Sequence, residues 1–288
     1  MPTYEDPPLI APLIDRRTLI AGVAATLGTM LPMPALAAPF TSRRINVTIR
    51  GSGPDVILIP GLASGTGIWA GTIAASPGYR YHLVQVCGFA GVPAEANKSG
   101  PLIAPLTAEI ARYISASGLR RPAIIGHSMG GTLAMMLALR GVASRVMVVD
   151  MLPAGAGMVG GTTNGVGYLA GQLSQMFTGT PAGRQFFSEM LARNPGAKGS
   201  DPDVVAHALS ELAQTDLGPR LPALGVPLEV IYAQPADAEM RKTLTQRFQS
   251  AYARARTARL VPIGPSGHVV MEDQPGRFAA AFRNFLKR

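Results

Sequence analysis

The sequence predicts an α/β fold, with a mainly parallel, doubly wound sheet and one helical insertion. Two observations carry this expectation. Short apolar runs alternate with longer segments of helical periodicity, the pattern of repeated βαβ units. The alternation breaks off after Asp150 and resumes only at Leu228, so the chain between them is an insertion. A length of 288 residues suits one large domain, and 47% apolar against 15% charged residues suits a well-buried core.

The elements follow in order. Arg43–Arg50 alternates Ile45, Val47 and Ile49 with polar neighbours, as an edge strand does. Gly51-Ser52-Gly53-Pro54 turns the chain into the continuous apolar strand Asp55–Pro60, suited to the interior of a parallel sheet. The turn Pro60-Gly61-Leu62-Ala63-Ser64-Gly65 follows, with Gly61 allowing close backbone approach. Tyr81–Cys87 is a strand, and Pro101–Gly118 a helix with Ile103, Leu106, Ile110 and Ile114 on one face. Pro122–Ile125 leads into Gly126-His127-Ser128-Met129-Gly130 and a helix through Arg140, then the strand Arg145–Asp150. After the insertion come the strand Leu228–Tyr232, a loop holding Asp237, a helix through about Arg254 and the strand Ala258–Ile263. Gly264-Pro265-Ser266-Gly267-His268 precedes a last helix, Pro275–Leu286, whose Phe278, Phe282 and Phe285 recur at core-packing spacing.

The junction at Ser128 carries the chemistry. A G-x-S-x-G pentapeptide between a strand and a helix is the nucleophile elbow, holding the serine in a strained conformation with Oγ clear of the sheet. Glycine at 126 and 130 avoids collision with the neighbouring strand and helix, and the Met129 amide lies at a helix start, where donors are unpaired.

With these motifs the chain resembles a serine hydrolase of the α/β-hydrolase fold superfamily, over roughly its whole mature length. The resemblance implies Ser128 as nucleophile and His268, on the loop after the last strand, as its base, in the order serine, acid, histidine. Of the other histidines, His127 packs beside the elbow, while His82 and His207 suit surface or packing roles. Asp237 holds the usual place of the triad acid, one residue later than the common pattern. That extra residue keeps Glu239 open for the same role, and Asp150 is the alternative acid. Leu62 and Met129 are the implied oxyanion donors, with Pro60 where relatives usually carry histidine. Residues 152–225 fall where relatives carry a lid, leaving 38–151 and 226–288 as the hydrolase core.

The expected activity is ester hydrolysis through an acyl-enzyme on a small to medium apolar substrate, without cofactor or metal. Serine at the elbow argues against dehalogenase and epoxide hydrolase chemistry, which use aspartate there. Residues 152–188 contain no Asp or Glu, so the insertion offers little to hold a substrate ammonium. Aminopeptidase or amidase activity, a transferase or lyase on the same triad, and a ligand receptor of this fold stay open. The charge of +9 is scattered, with no basic run suited to nucleic acid. The single cysteine, Cys87, excludes an internal disulfide and suits a buried inert thiol.

Residues 1–37 read as an export leader: Arg16-Arg17 precede the uncharged run Ala21–Leu31, and Ala35-Leu36-Ala37 supplies a cleavage site before Ala38. The pair resembles a twin-arginine signal, with Asp15 and Leu19 departing from it, and implies a periplasmic or secreted protein. The run is too short for a stable membrane span.

Overall fold

The computed structural model describes residues 40–159, 161 and 163–288. The leader reading of residues 1–37 lies outside the described residues. The strands are β1 (Ile45–Arg50), β2 (Asp55–Ile59), β3 (Arg80–Val86), β4 (Ala123–His127), β5 (Arg145–Val149), β6 (Leu228–Ala233) and β7 (Ala258–Ile263). They form one sheet of order β1-β3-β2-β4-β5-β6-β7. Within this sheet, among the described residues, only β1 pairs antiparallel, with β3; the other strand pairings are parallel. The expected α/β-hydrolase fold, mainly parallel and doubly wound, is therefore present. The strand order reverses beside β2 and β4, and in open α/β sheets ligands bind beyond the carboxyl ends of strands at such a switch.

Period-two alternation divides the core. Ile57, Ile59, Val84, Val86, Ile124, Val146, Val148 and Val230 face one side, against α2 (Ile103–Ala116), α3 (Met129–Leu139) and α7 (Ala238–Tyr252). Val56, Leu58, Leu83, Ile125, Met147, Val149 and Ile231 face the other, against Trp69 and Phe278, Phe282 and Phe285 of α9 (Pro275–Lys287). Both faces are covered, which explains why the central strands read as continuous apolar runs rather than alternating ones.

Two short helices, α1 (Ala70–Ala74) and α8 (Val270–Asp273), complete the core. The insertion contributes α4 (Thr163–Thr178), α5 (Pro181–Ala192) and α6 (Pro202–Gln214). Phe177 stacks on Phe187 with ring centroids 4.7 Å apart, while Met176, Phe186 and Met190 are exposed. The side chains of Val159, Tyr168, Leu169 and Leu173 lie outside the described residues. Cys87 is a buried free thiol, and burial pushes its pKa up.

Candidate active site

Ser128 lies between β4 and α3 with φ 51° and ψ −120°, a conformation that L-residues rarely adopt. Steric fit dictates the residues around it. A Cβ on Gly126 would lie 1.9 Å from the Gly130 carbonyl oxygen, and one on Gly130 would lie 2.3 Å from that of Ile59. Any larger residue would drive the turn apart. The backbone of Ser128 is anchored by its own amide on Val149 O (2.9 Å) and by the Gly131 amide on its carbonyl (2.8 Å). Its hydroxyl forms no capping bond to α3 and stays free for chemistry.

The turn after β2 presses against this elbow. A Cβ on Gly61 would come 2.9 Å from His127 Nδ1 and 3.2 Å from Ser128 Cβ. The turn spans Gly61–Ser64 and is closed by the Ser64 amide on Gly61 O at 3.2 Å. Among the described residues, neither the Leu62 nor the Met129 amide has a backbone partner. Met129 opens α3, so the helix dipole adds to its donor.

His268 follows β7, and its Nδ1–H donates to Asp150 Oδ2 at 2.7 Å. A carboxylate only accepts, so this bond places the proton on Nδ1 and leaves the Nε2 lone pair free. Among the described residues no hydrogen bond joins Ser128 Oγ to His268; such bonds are commonly long in unliganded enzymes and tighten with substrate. Asp150 is buried immediately after β5, with φ +49°. Its Oδ1 accepts from the Ala233 amide at 2.9 Å, and its own amide donates to Ile231 O at 2.7 Å.

This corrects the expected acid. Asp237 is exposed at the N-cap of α7, where its Oδ1 accepts from the Met240 amide at 2.8 Å. Glu239, in the first turn of the same helix, is also exposed. The physical reason is competition: an aspartate immediately before a helix satisfies that helix's unpaired amides. The signal was present in the sequence, since Asp237 directly precedes the helical run.

His127 is 3% exposed, and its Nε2–H donates to the His268 carbonyl at 2.9 Å. The two rings lie 4.7 Å apart. Burial, and secondarily the neighbouring His268, lowers the His127 pKa from 6.5 to about 4, so it is neutral at physiological pH. Of the two roles open to His82 it takes the packing one: it is buried, with Nε2 2.8 Å from Asp55 Oδ1 and Nδ1 2.6 Å from the Tyr113 hydroxyl. Among the described residues no group of three or more His, Cys, Asp or Glu is placed to hold a metal. A groove of about 480 Å³ lined by Asp55, Arg120, Arg121 and Arg145 opens at the N-terminal ends of the strands, away from Ser128.

The parallel sheet, the elbow at its switch point and the histidine–carboxylate pair beyond the strand ends together define an α/β hydrolase. The comparison with family models agrees: residues 56–281 match the alpha/beta hydrolase family, and the chain belongs to it. A curated relative, pimeloyl-[acyl-carrier protein] methyl ester esterase of Vibrio atlanticus (strain LGP32), is 25% identical over 207 residues, covering 65% of this chain and 78% of that protein. A thermophilic esterase from Thermogutta terrifontis is similar in structure, with a TM-score of 0.63 and 20% identity, over 84% of this chain and 93% of that one. The enol-lactonase from Burkholderia xenovorans LB400 gives 0.60 and 21%, over 85% and 96%.

Proposed function

We propose that this hydrolase is a serine carboxylic-ester hydrolase acting on a small to medium apolar substrate. The observation that carries the reading is the His268–Asp150 hydrogen bond, in a site whose strained Ser128 keeps its hydroxyl uncommitted. Ser128 Oγ attacks the ester carbonyl carbon while His268 Nε2 takes its proton. The oxygen of the tetrahedral intermediate carries the negative charge and accepts hydrogen bonds from the Leu62 and Met129 amides. As the C–O bond breaks, the His268 imidazolium returns the proton to the departing alcohol. Water, deprotonated by His268, then attacks the acyl-enzyme; the acid leaves and Ser128 regains its proton. Asp150 holds the tautomer and stabilises the imidazolium.

The insertion supports a preference for esters over aminoacyl amides. Its carboxylates already have partners: Glu189 accepts from Gln185, Asp201 caps α6, and Asp203 pairs with Arg184. Glu211 accepts from the Leu102 and Ile103 amides, and Asp216 from the Gly218 amide. Each is already engaged in holding the insertion together, which counts against a dedicated site for a substrate ammonium, whose burial unpaired is costly. An apolar acyl group instead gains about 0.8 kcal/mol per buried methylene. The Vibrio relative is by name a methyl ester esterase, which accords with this reading. Residues 152–225, with their apolar side chains, are the proposed cover over the site.

The test is fluorophosphonate labelling of Ser128, followed by p-nitrophenyl esters of rising acyl length beside aminoacyl anilides. The expected result is label on wild type but not on Ser128→Ala, with kcat/KM rising from acetyl to medium chains and little anilide cleavage. Faster cleavage of an alanyl or prolyl anilide than of any ester would sink the ester assignment. Product analysis with added alcohols separates hydrolysis from acyl transfer.

A further inference from the structure

We propose that Ser200, supplied by the insertion, is the positioning residue that holds the oxyanion turn in place. The inference rests on the proposed role of the Leu62 amide as an oxyanion donor. Leu62 occupies the second position of the Gly61–Ser64 turn, and Ala63 the third, at φ +59°. That position favours glycine, so an alanine there is strained and needs support from outside the turn.

The support is Ser200. Its Oγ donates to the Ala63 carbonyl at 3.0 Å and accepts from the Ala90 amide at 2.9 Å. Ser200 is 6% exposed and Ala63 4%, so water cannot readily replace the hydroxyl. The Ala90 N–H can only donate and the Ala63 carbonyl can only accept, so the single hydroxyl proton goes to Ala63 O.

Ser200 is itself held on both sides. The Gly91 amide donates to Gly199 O at 3.1 Å, and the Asp201 amide to Gly88 O at 2.8 Å. Gly199 has φ +78°, and a Cβ there would come 3.1 Å from Gly91 Cα, so the close approach of the two segments needs glycine. Asp201 then caps α6 through the Asp203 and Val204 amides. The start of α6 is thus stitched to the turn after β3, and one hydroxyl extends the stitch to the turn after β2. Without that hydroxyl, Ala63 O is left buried and unpaired, the half-buried Ala90 N–H loses its acceptor, and the strained turn relaxes away from Ser128.

The discriminating pair is Ser200→Thr, which keeps the hydroxyl, and Ser200→Val, which has the same shape without it. Each is measured for kcat and KM on p-nitrophenyl butyrate and for affinity toward an alkyl trifluoromethyl ketone, whose adduct with the serine places an oxyanion in the site. Outright removal of one oxyanion donor costs roughly 10²–10³ in kcat, so a displaced donor costs less. The valine variant should lose about tenfold to a hundredfold in kcat and in ketone affinity alike, with KM nearly unchanged. The threonine variant should stay close to wild type. A folded valine variant with wild-type kcat and ketone affinity overturns the proposal. So does failure of both Ser200→Val and Ser200→Ala to fold, since the hydroxyl would then hold the fold rather than the turn. Wild type left unlabelled at Ser128 by fluorophosphonate sinks the hydrolase mechanism as well; labelled wild type with an unaffected valine variant sinks only Ser200's role.

Discussion

Asp150 and His268 meet across β6: the carboxylate follows β5, the imidazole follows β7, and 2.7 Å separates Oδ2 from Nδ1. The intervening strand fixes the acid, because the Ala233 amide at the end of β6 holds its other oxygen. The Asp150 carboxylate is therefore oriented by the sheet, and its burial keeps water from competing for the His268 Nδ1 proton.

Asp150→Asn should abolish most turnover, by several orders of magnitude, because the amide cannot hold His268 in the required tautomer. Asp237→Asn should leave kcat/KM nearly unchanged, since asparagine still caps a helix; Asp237→Ala should cost about 1 kcal/mol of stability. Ester kinetics and urea denaturation of the variants decide it, and the opposite ranking would return the role to Asp237.

Gly61→Ala should fold and lose about tenfold or more in kcat, because its Cβ would be driven 2.9 Å from His127 Nδ1 and 3.2 Å from Ser128 Cβ. The adjusting atoms belong to the elbow and its neighbour, so the disturbance falls on catalysis. A wild-type kcat in this variant would show that the turn tolerates displacement.

Burial of His127 gives stability a defined pH dependence. The unfolded histidine titrates at its ordinary 6.5 and the folded one at about 4, so between these values the unfolded state binds more protons. Stability is full above about pH 6.5 and falls as pH drops toward 4, by about 3 kcal/mol at roughly 1.4 kcal/mol per pH unit. His127→Gln keeps a donor for the His268 carbonyl but does not titrate. The wild-type urea midpoint should therefore fall relative to that of the variant between pH 7 and 4.5. Parallel pH dependence of the two would remove the His127 contribution.

What could be read from the sequence was local. The elbow declared itself because Gly126 and Gly130 are sterically obligatory around Ser128. The strands declared themselves through apolar runs whose alternate residues fill two cores. The choice between Asp150 and Asp237 rested on a single local signal, the helix start directly after Asp237. Both follow strands, and which carboxylate reaches His268 depends on how α7 captures Asp237. The partners of Ser200 and Glu211 were illegible for another reason: they are backbone groups more than a hundred positions away, and a backbone group leaves no mark in sequence.

Glu211 joins the insertion to the core. From α6 its carboxylate accepts from the Leu102 amide at 2.7 Å and the Ile103 amide at 2.9 Å, at the start of α2. Leu102 supplies no side-chain cap of its own, so without Glu211 these two amides lose their acceptor. The negative charge also lies at the favourable end of the α2 dipole. Charge-assisted bonds of this kind contribute roughly 1.5–3 kcal/mol each, and part is recovered by water when the side chain is removed. Glu211→Ala should therefore destabilise the protein by about 2 kcal/mol, lowering Tm by roughly 4–8 °C. Glu211→Gln should lose less, because one amide oxygen can still accept while the charge is gone. Neither variant touches Ser128, His268 or Asp150, so kcat on a short ester should hold at temperatures well below the transition. Calorimetry and ester kinetics on the same samples test both halves. An unchanged Tm in Glu211→Ala would show that the carboxylate does not hold α6 to α2.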